Sequence, residues 1–332
     1  MTSSFKPIAL SLSKGLVFAL LTLTASLAQA QTAPWPAKPI RIIVPLAAGS
    51  AVDNAARIVA QKMSQNMGQA IVIENQAGAS GLIGAGAVAK AAPDGYTLGG
   101  FNDSIMTMLP NMQTKMPWDI LKDFEPVSLV ATVELGLVVN GEAPERSAAD
   151  LIAAARKAPG KINYGSGGNG SPQHVAMALF NAQAGVQMTH VPYKGATQAA
   201  MGVAGNEVHA AFQGIATINS LVKAGKLRLI GVTTPKRMSQ FPEVPTVGES
   251  GLPGFEFSTW FALMAPAGTP KAIVSQLAAE VQKALQDADV RDKLTAQGLT
   301  PRGTTPEELG TATRAQLAKY GELIRKNGIT VE

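Results

Sequence analysis

Several features that mark other protein classes are scarce or missing in this chain of 332 residues. It contains no cysteine, so we expect neither a disulfide framework nor a thiol-linked lipid anchor. Only 15% of the residues are charged, and the formal net charge of +5 is dispersed rather than gathered into the basic stripe of a nucleic-acid surface. Beyond the N-terminus, no apolar run is long enough to cross a bilayer. We therefore expect no nucleic-acid partner and no membrane-spanning segment in the body of the protein.

The first 30 residues have the pattern of a secretory signal peptide. Two lysines precede an apolar stretch, Leu16 to Leu27, and Ala28-Gln29-Ala30 fits an A-x-A cleavage site. The stretch is short for a membrane helix. We expect residues 1–30 to be removed, Gln31 to become the first mature residue, and the mature protein to be exported.

Residues 42–54, with the sequence I-I-V-P-L-A-A-G-S-A-V-D-N, predict a strand, a small-residue loop and a helix. Pro45 ends the β-branched strand because it has no N–H for a sheet ladder. Ser50 and Asp53 have capping-box spacing, so the helix should begin at about Ala51. This corner directs free N–H groups and the positive end of a helix toward one point, as in anion sites. A tightly packed, ordinary β–α corner is the alternative interpretation.

The same alternation of strands, loops and helices continues along the chain. Its β-α-β-α-β order predicts a parallel, doubly wound sheet with ligand groups at the C-terminal ends of the strands. Val127 to Asn140 is a long apolar run broken by Thr132 to Glu134, which predicts a strand pair passing between two bodies. Phe257 to Met264 is a second apolar strand that could connect them. This layout predicts a two-lobed clamp that closes on a small anion.

A second glycine-rich loop, Gly165 to Ser171, lies between a predicted strand and a helix that Pro172 opens. It matches G-x-G-x-x-G, but a dinucleotide site also needs an acidic residue about 20 positions later to bind the ribose. The next Asp or Glu is Glu207. We therefore favour a cradle of backbone N–H groups for an anion over a dinucleotide site.

The sequence lacks the usual catalytic and metal-binding patterns. There is no G-x-S-x-G elbow, the carboxylates form no acid–base pair, and the three histidines contain no i,i+4 pair for zinc. His174 lies one turn into the helix after the second loop, where it either orients a ligand or bonds to nearby backbone. His190 and His209 are expected to be structural. We predict no catalytic residue, no metal and no cofactor.

Seven motifs follow one another in the order found in a known family. They are P-x-K-P-I-R-I-I-V-P-L-A-A-G at 36–49, A-x-P-D-G-Y-T-L at 91–98, N-Y-G-S-G-G-N-G-S-x-Q-H at 163–174, H-V-P-Y-K-G at 190–195, G-K-L-R at 225–228, F-P-E-V-P-T-V-G-E-S-G at 241–251 and M-A-P-A-G-T-P at 264–270. On these motifs the chain resembles the extracytoplasmic solute receptors of tripartite tricarboxylate transporters, the Bug family of bacterial periplasmic binding proteins. The resemblance covers essentially the whole mature chain.

This resemblance implies an α/β, two-lobed periplasmic-binding-protein ("Venus flytrap") fold, in which each lobe is a doubly wound sheet and two crossover strands join the lobes. Residues 31–136 and 258–332 would form lobe 1, and residues 137–257 lobe 2. The implied function is a non-enzymatic, monomeric periplasmic receptor that captures a small carboxylated metabolite. It would deliver the metabolite to the membrane permease subunits of a tripartite tricarboxylate-type transporter. A secreted α/β enzyme acting on an acidic metabolite is the alternative.

The family's recognition mode, a carboxylate held by backbone amides of both lobes with bridging waters, falls here on Gly49–Ala51 and Ser166–Ser171. The predicted ligand-binding residues are Ala48, Gly49, Ser50, Ala51, Asn102, Ser104, Ser166, Gly167, Gly168, Asn169, Gly170, Ser171 and His174.

Two residues depart from the family pattern. Ser50 stands where the family usually has a second glycine, and Leu46 where it has an aromatic residue. Ser50 either adds a hydroxyl donor or only caps its own helix. If Asp53 also folds back onto the Ser50 N–H, one amide is lost to the ligand. Neither loop contains Lys or Arg, which argues against a highly charged polyanion.

Overall fold

The computed structural model describes residues 1–2 and 35–330. The predicted signal peptide, apart from its first two residues, and the predicted mature start at Gln31 lie outside the described residues. The chain divides into two units, Met1–Ala37 and Lys38–Glu332, and every element below belongs to the second. Within the described ranges, no helix combines the length and apolar character needed to span a membrane.

Ten strands and ten α-helices make up the regular structure of the described residues. The strands are β1 Ile40–Val44, β2 Ile71–Asn75, β3 Thr97–Asn102, β4 Phe124–Asn140, β5 Asn163–Ser166, β6 Thr189–Pro192, β7 Ala210–Gly214, β8 Leu227–Val232, β9 Ser258–Pro266 and β10 Leu299–Pro301. The helices are α1 Ala51–Met67, α2 Leu82–Ala89, α3 Leu109–Met112, α4 Ala148–Lys157, α5 Pro172–Ala184, α6 Ala196–Ala204, α7 Ile215–Lys223, α8 Lys271–Gln286, α9 Ala288–Ala296 and α10 Pro306–Lys326. A 3-10 turn, Ala79–Gly81, precedes α2, and a π-helical turn, Ser104–Met108, precedes α3.

The strands form two sheets that share β4. In the first sheet β1 lies between β2 and β3 and is parallel to both, and β9 runs antiparallel to β3 and to the first part of β4. In the second sheet β5 is parallel to β6 and β7, while β7 and β8 run antiparallel to the last part of β4. The loops after the parallel strands therefore gather at strand C-terminal ends, where ligands bind in α/β folds.

The long apolar run forms a single strand, so the predicted strand pair broken at Thr132 to Glu134 is wrong. β4 pairs with β9 through Phe124–Glu134 and with β7 and β8 through Leu135–Asn140. β10 also pairs with residues 131–133 of β4. Cross-strand hydrogen bonds therefore keep the backbone extended across the polar residues, which the local pattern could not show.

The chain crosses back between the sheets immediately before β9. The Phe257 N–H donates to the Thr233 carbonyl (3.1 Å), and the Thr233 N–H donates to the Leu135 carbonyl of β4 (2.9 Å). β4 is thus one crossover of the predicted fold, and the segment at Phe257 that leads into β9 is the other.

Each sheet buries its own apolar core. Beside the first sheet, Phe101 and Trp118 both pack edge-on against Phe124, with ring centroids 5.2 and 5.5 Å away. Beside the second sheet, Phe212 stacks on Phe255 at 5.7 Å. Burial of one such side chain contributes about 1.5–3 kcal/mol. These cores hold the strand ends, and thus the loops between them, in place.

Candidate ligand-binding cavity

A cavity of about 430 Å³ lies where the strand-end loops of the two sheets meet. The first sheet contributes Pro45–Ala47, Ser50–Val52, Ala77–Gly81, Asn102, Ser104 and Thr259, the second sheet contributes Gly167, Gly168, Ser171–Gln173, Tyr193–Ala196, Gly214 and Thr217, and β4 contributes Val133 and Leu135. Of the predicted site residues, Ser50, Ala51, Asn102, Ser104, Gly167, Gly168 and Ser171 line this cavity. Ala48, Gly49, Asn169 and Gly170 lie in the same loops, Ser166 at the end of β5 and His174 in the first turn of α5, all outside the lining.

The first loop is organised by Ser50 and Asp53. The Ser50 hydroxyl caps α1 by accepting from the Asp53 N–H (3.3 Å), as predicted. The Asp53 carboxylate reaches back to the Gly49 N–H (2.9 Å), whereas the Ser50 N–H donates to the Ala47 carbonyl. The return bond of Asp53, which the sequence left conditional at Ser50, thus falls on Gly49, because a turn at Ala47–Ser50 already occupies the Ser50 amide.

The amides of Ala51 and Val52, at the start of α1, have no hydrogen-bond partner in the described part of the chain. Both residues line the cavity, so their N–H groups are available to an anion.

Asp53 remains ionised beneath this loop. Burial opposes its ionisation, but hydrogen bonds from Arg57, Gly49 and Asn75 outweigh burial and hold the Asp53 pKa below its usual value. Arg57 also forms an ion pair with Asp53 at 3.0 Å. The Asp53 carboxylate thus takes up the Gly49 amide inside the loop, whereas the Ala51 and Val52 amides at the start of α1 remain free toward the cavity.

The second loop is folded around its own side chains. The Ser166 hydroxyl accepts from the Gly168 N–H (3.1 Å), and the His174 ring Nδ1 accepts from the Gly170 N–H (3.1 Å). The Ser171 hydroxyl caps α5 through the His174 N–H (3.3 Å). The amides of Gly167 and Gln173 have no partner among the residues that the structure describes, and both residues line the cavity.

Gly168 is required by the shape of this loop. Its φ of +118° lies in a region that side-chain-bearing residues rarely adopt. An added Cβ would also lie 3.3 Å from the Ser80 hydroxyl and 3.3 Å from the Tyr193 carbonyl. A side chain here would both strain the backbone and press on the opposite wall of the cavity.

Three stacked rings, those of His174, His190 and Tyr164, support the second loop. His174 stacks on His190 with centroids 4.1 Å apart, and His190 stacks on Tyr164 at 4.9 Å. Burial lowers the pKa of His174 to about 4, and burial together with the neighbouring His174 lowers that of His190 to about 4. Both rings are therefore neutral near pH 7, which allows His174 Nδ1 to accept from Gly170. His174 acts here on the loop backbone, one of the two roles expected for it.

The remaining histidine is also structural. His209 Nδ1 accepts from the Asn163 N–H (3.0 Å) at the start of β5, as expected.

Hydrogen bonds from described residues at the strand ends of one sheet reach those of the other. The Ser80 hydroxyl donates to the Asn169 carbonyl (2.6 Å), and the Ser104 hydroxyl donates to the Gly170 carbonyl (2.6 Å). The Thr197 hydroxyl donates to the Ala48 carbonyl (3.2 Å). These bonds describe a closed conformation, in which the two sets of loops touch across the cavity.

The cavity contains little charge. Among the described lining residues, Lys194 is the one charged side chain, and it is exposed. No group of His, Asp and Glu that could hold a metal ion is found in the described ranges. An anion in this cavity would thus depend on backbone N–H groups and hydroxyls, which matches the donors described above.

Residues 55–329 match the family described as "Tripartite tricarboxylate transporter family receptor". The chain belongs to this receptor family. It is 34% identical over 314 residues to Protein BugT of Bordetella pertussis, covering 94% of this chain and 96% of BugT.

Two solved structures share the fold. The structure of R. palustris Rpa4515 with adipate has a TM-score of 0.87 and 35% identity, covering 89% of this chain and 99% of that chain. The periplasmic binding protein BugD has a TM-score of 0.85 and 30% identity, with the same coverage. The receptor therefore has the two-lobed periplasmic-binding-protein fold and is a member of the Bug group.

Some lining residues of this receptor were not predicted. Ala77–Gly81 and Tyr193–Ala196 follow β2 and β6, so a systematic search of every parallel strand end would have found them. Gly214 and Thr217 likewise follow β7, which is parallel to β5. Thr259 carries no such local pattern, because only the packing of β9 brings it to the cavity.

Proposed function

We propose that this protein is a periplasmic receptor that captures a small carboxylate between its two lobes and delivers it unchanged to the permease subunits of a tripartite tricarboxylate-type transporter. The observation that carries the proposal is the cavity between the strand-end loops, whose described lining includes the unpartnered amides of Ala51, Val52, Gly167 and Gln173. Hydrogen bonds to a charged group contribute roughly 1.5–3 kcal/mol each. Several shared between the lobes suffice for micromolar binding of a small acid.

The lobes proposed here are residues 31–136 with 258–332, and residues 137–257. Each contributes amides to the cavity, so ligand binding favours the closed form. The hydroxyl bonds from Ser80 and Ser104 across the cavity support this closure.

Export to the periplasm is supported by the signal-peptide pattern of residues 1–30. A carboxylate ligand is supported by the adipate in the related Rpa4515 structure. The receptor is proposed to act as a monomer.

The test is to incubate the purified mature protein with a pool of small organic acids and to analyse both the protein-bound and the free fractions by mass spectrometry. We expect one acid, or a few, to be recovered unchanged and in stoichiometric amount with the protein. Conversion of an acid to a product would contradict the receptor and favour the alternative, a secreted enzyme acting on an acidic metabolite.

A further inference from the structure

A buried carboxyl group lies directly behind the wall of the cavity, and the amide cradle does not use it. Asp103 is fully buried, and it connects the end of β3 to the π-helical turn. Its chain neighbours Asn102 and Ser104 both line the cavity, and so does Thr259, whose hydroxyl donates to Asp103 Oδ1. Asp103 itself is not part of the lining. Residues of the cavity wall therefore separate this carboxyl group from the space that the ligand occupies.

Asp103 also lies where the two lobes join. Its partner Thr259 pairs with Val133 of β4, close to the crossover segment at Phe257. The ring of Tyr320, on α10, lies 6.5 Å from the ring of Phe257 and close enough to Asp103 to respond to its charge. The residue after Asp103 makes one of the bonds across the closed cavity. Movement of the lobes therefore changes the surroundings of this carboxyl group.

The closed structure favours the neutral form of Asp103. Its Oδ2 has no hydrogen-bond partner among the described residues, and the ion pairs found there do not include it. A buried charge without a partner is costly, so such a group keeps its proton instead. Burial accordingly raises the pKa of Asp103 to about 7, although the Thr259 hydroxyl and the amides of Trp260 and Ser104 oppose the rise.

The groups around Asp103 leave it as the one that titrates near neutral pH. The described elements that adjoin it, β3, β9, the π-helical turn and α3, contain no charged residue. On α10, burial and the neighbouring Asp103 raise the pKa of Tyr320, so that ring stays neutral, and Lys319 and Glu322 are exposed. Glu134 of β4 accepts instead from hydroxyls of β4 and β10.

We propose that closure of the lobes on a carboxylate takes up a proton at Asp103, so that the receptor binds its ligand more tightly in mildly acidic than in alkaline surroundings. The proposal rests on the proposed function, because it adds regulation by pH to the same site.

Two effects make the closed, liganded form the better proton acceptor. Separation of the lobes opens the cavity wall to water, which stabilises an ionised carboxylate. A bound carboxylate places a like charge beyond the wall, which disfavours a second negative charge at Asp103. A group whose pKa is higher in the bound form strengthens binding as the pH falls from that pKa toward the pKa of the free form. Affinity should therefore rise as the pH falls through 7.

The experiment counts the protons taken up on binding, by calorimetry at pH 7 in two buffers of different ionisation enthalpy, and measures affinity at pH 6 and pH 8. The probes are adipate and each acid recovered in the pool experiment. The proteins are the wild type, Asp103→Asn and Asp292→Asn. Asparagine keeps the shape of the neutral acid but does not titrate. Asp292 is an exposed aspartate outside the cavity lining, so its variant is a matched control.

For the wild type we expect uptake of about half a proton or more per acid bound, and affinity about tenfold lower at pH 8 than at pH 6, since one pKa unit corresponds to a factor of ten. Asp103→Asn should remove the uptake and most of the pH dependence, whereas Asp292→Asn should match the wild type. Burial of His174 and His190 on closure would release protons, the opposite sign, and is common to all three proteins.

Infrared difference spectra of the wild type give a second readout that needs no variant. At pH 7, addition of the acid should increase the carbonyl band of a protonated carboxyl group. Binding without proton uptake, an unchanged carbonyl band, or a folded Asp103→Asn protein that takes up as many protons as the wild type would overturn the proposal and leave the receptor function standing. A folded wild type that binds no acid of the pool would overturn both.

Discussion

The hydroxyls of Ser80 and Ser104, here called the closing serines, give a direct test of how the receptor holds its closed form. Both donate at 2.6 Å to carbonyls of the second loop, those of Asn169 and Gly170. The bonds join the two lobes, so they exist in the closed form and are lost when the lobes separate. Removing both hydroxyls in the Ser80→Ala, Ser104→Ala double variant should therefore destabilise the closed form alone.

The size of the effect follows from the chemistry of the bonds. Each neutral hydrogen bond contributes about 0.5–1.5 kcal/mol net, so the pair contributes about 1–3 kcal/mol. Because the ligand binds the closed form, we expect affinity to fall about 5- to 150-fold. The factor should be the same for every ligand, since the bonds hold the lobes together rather than the ligand.

Isothermal titration calorimetry with two different acids that the wild type binds measures this loss of affinity. Ser64→Ala is the matched control, because the Ser64 hydroxyl also donates to a carbonyl, that of Gln69 (2.7 Å), but within one lobe. It should lower thermal stability without changing affinity. A folded double variant that binds at wild-type affinity would refute the reasoning, and a loss that differs strongly between the two acids would show direct ligand contact instead.

Three further predictions concern the loop and the buried titratable groups. Gly168→Val should weaken ligand binding by roughly 3–6 kcal/mol, the equivalent of two hydrogen bonds to a charged group. The control Gly160→Val also replaces a glycine of positive φ (+72°), but in open space, so it should lower stability without changing affinity. Calorimetry that gives both variants the same affinity, with circular dichroism as the folding control, would contradict this. His174→Ala should weaken binding by about 1 kcal/mol through loss of the Gly170 bond. The unfolded chain protonates His174 near its ordinary pKa of 6.5 and the folded protein only at about 4, so wild-type stability should fall relative to His174→Ala as pH drops from 6.5 to 4. Burial raises the Asp103 pKa from 3.8 to about 7, so the folded protein keeps this proton while the unfolded chain releases it. As pH rises from 4 to 7, the free energy of unfolding of Asp103→Asn should therefore increase relative to that of the wild type, by up to about 1.4 kcal/mol per pH unit. Urea denaturation at pH 5 and pH 8 measures this, and a stability difference that is equal at both pH values would contradict a buried neutral acid.

Features encoded by neighbouring residues could be predicted from the sequence. The start of α1 at Ala51, its end at Gly68, and the whole of α5 follow from cap residues, a helix-opening proline and apolar spacing that lie within one or two turns. Features that depend on distant partners could not be predicted. The continuity of β4 comes from β9 and β10, which are more than a hundred residues away in the sequence.

The same distinction applies to the site. The two loops could be found from their small residues and capping serines, and seven of the predicted residues line the cavity. Which amides remain free could not be predicted, because Asp53 and His174 each occupy an amide through a side-chain conformation that sequence spacing leaves open. Thr259 follows no parallel strand end, and only the three-dimensional packing of β9 brings it to the cavity.

The sharing of β4 by both sheets has a consequence for chain-length variation. Side chains alternate between the two faces of a strand, so one inserted or deleted residue exchanges the faces of everything beyond it. A one-residue insertion near Glu134 that left the pairing of the first sheet unchanged would move the side chains of Leu135–Asn140 to the opposite face of the second sheet, where they pair with β7 and β8. A change in the length of β4 must therefore be absorbed by a β-bulge, as at Pro126/Ser128 and Leu129/Ala131, or it turns the core of one lobe outward.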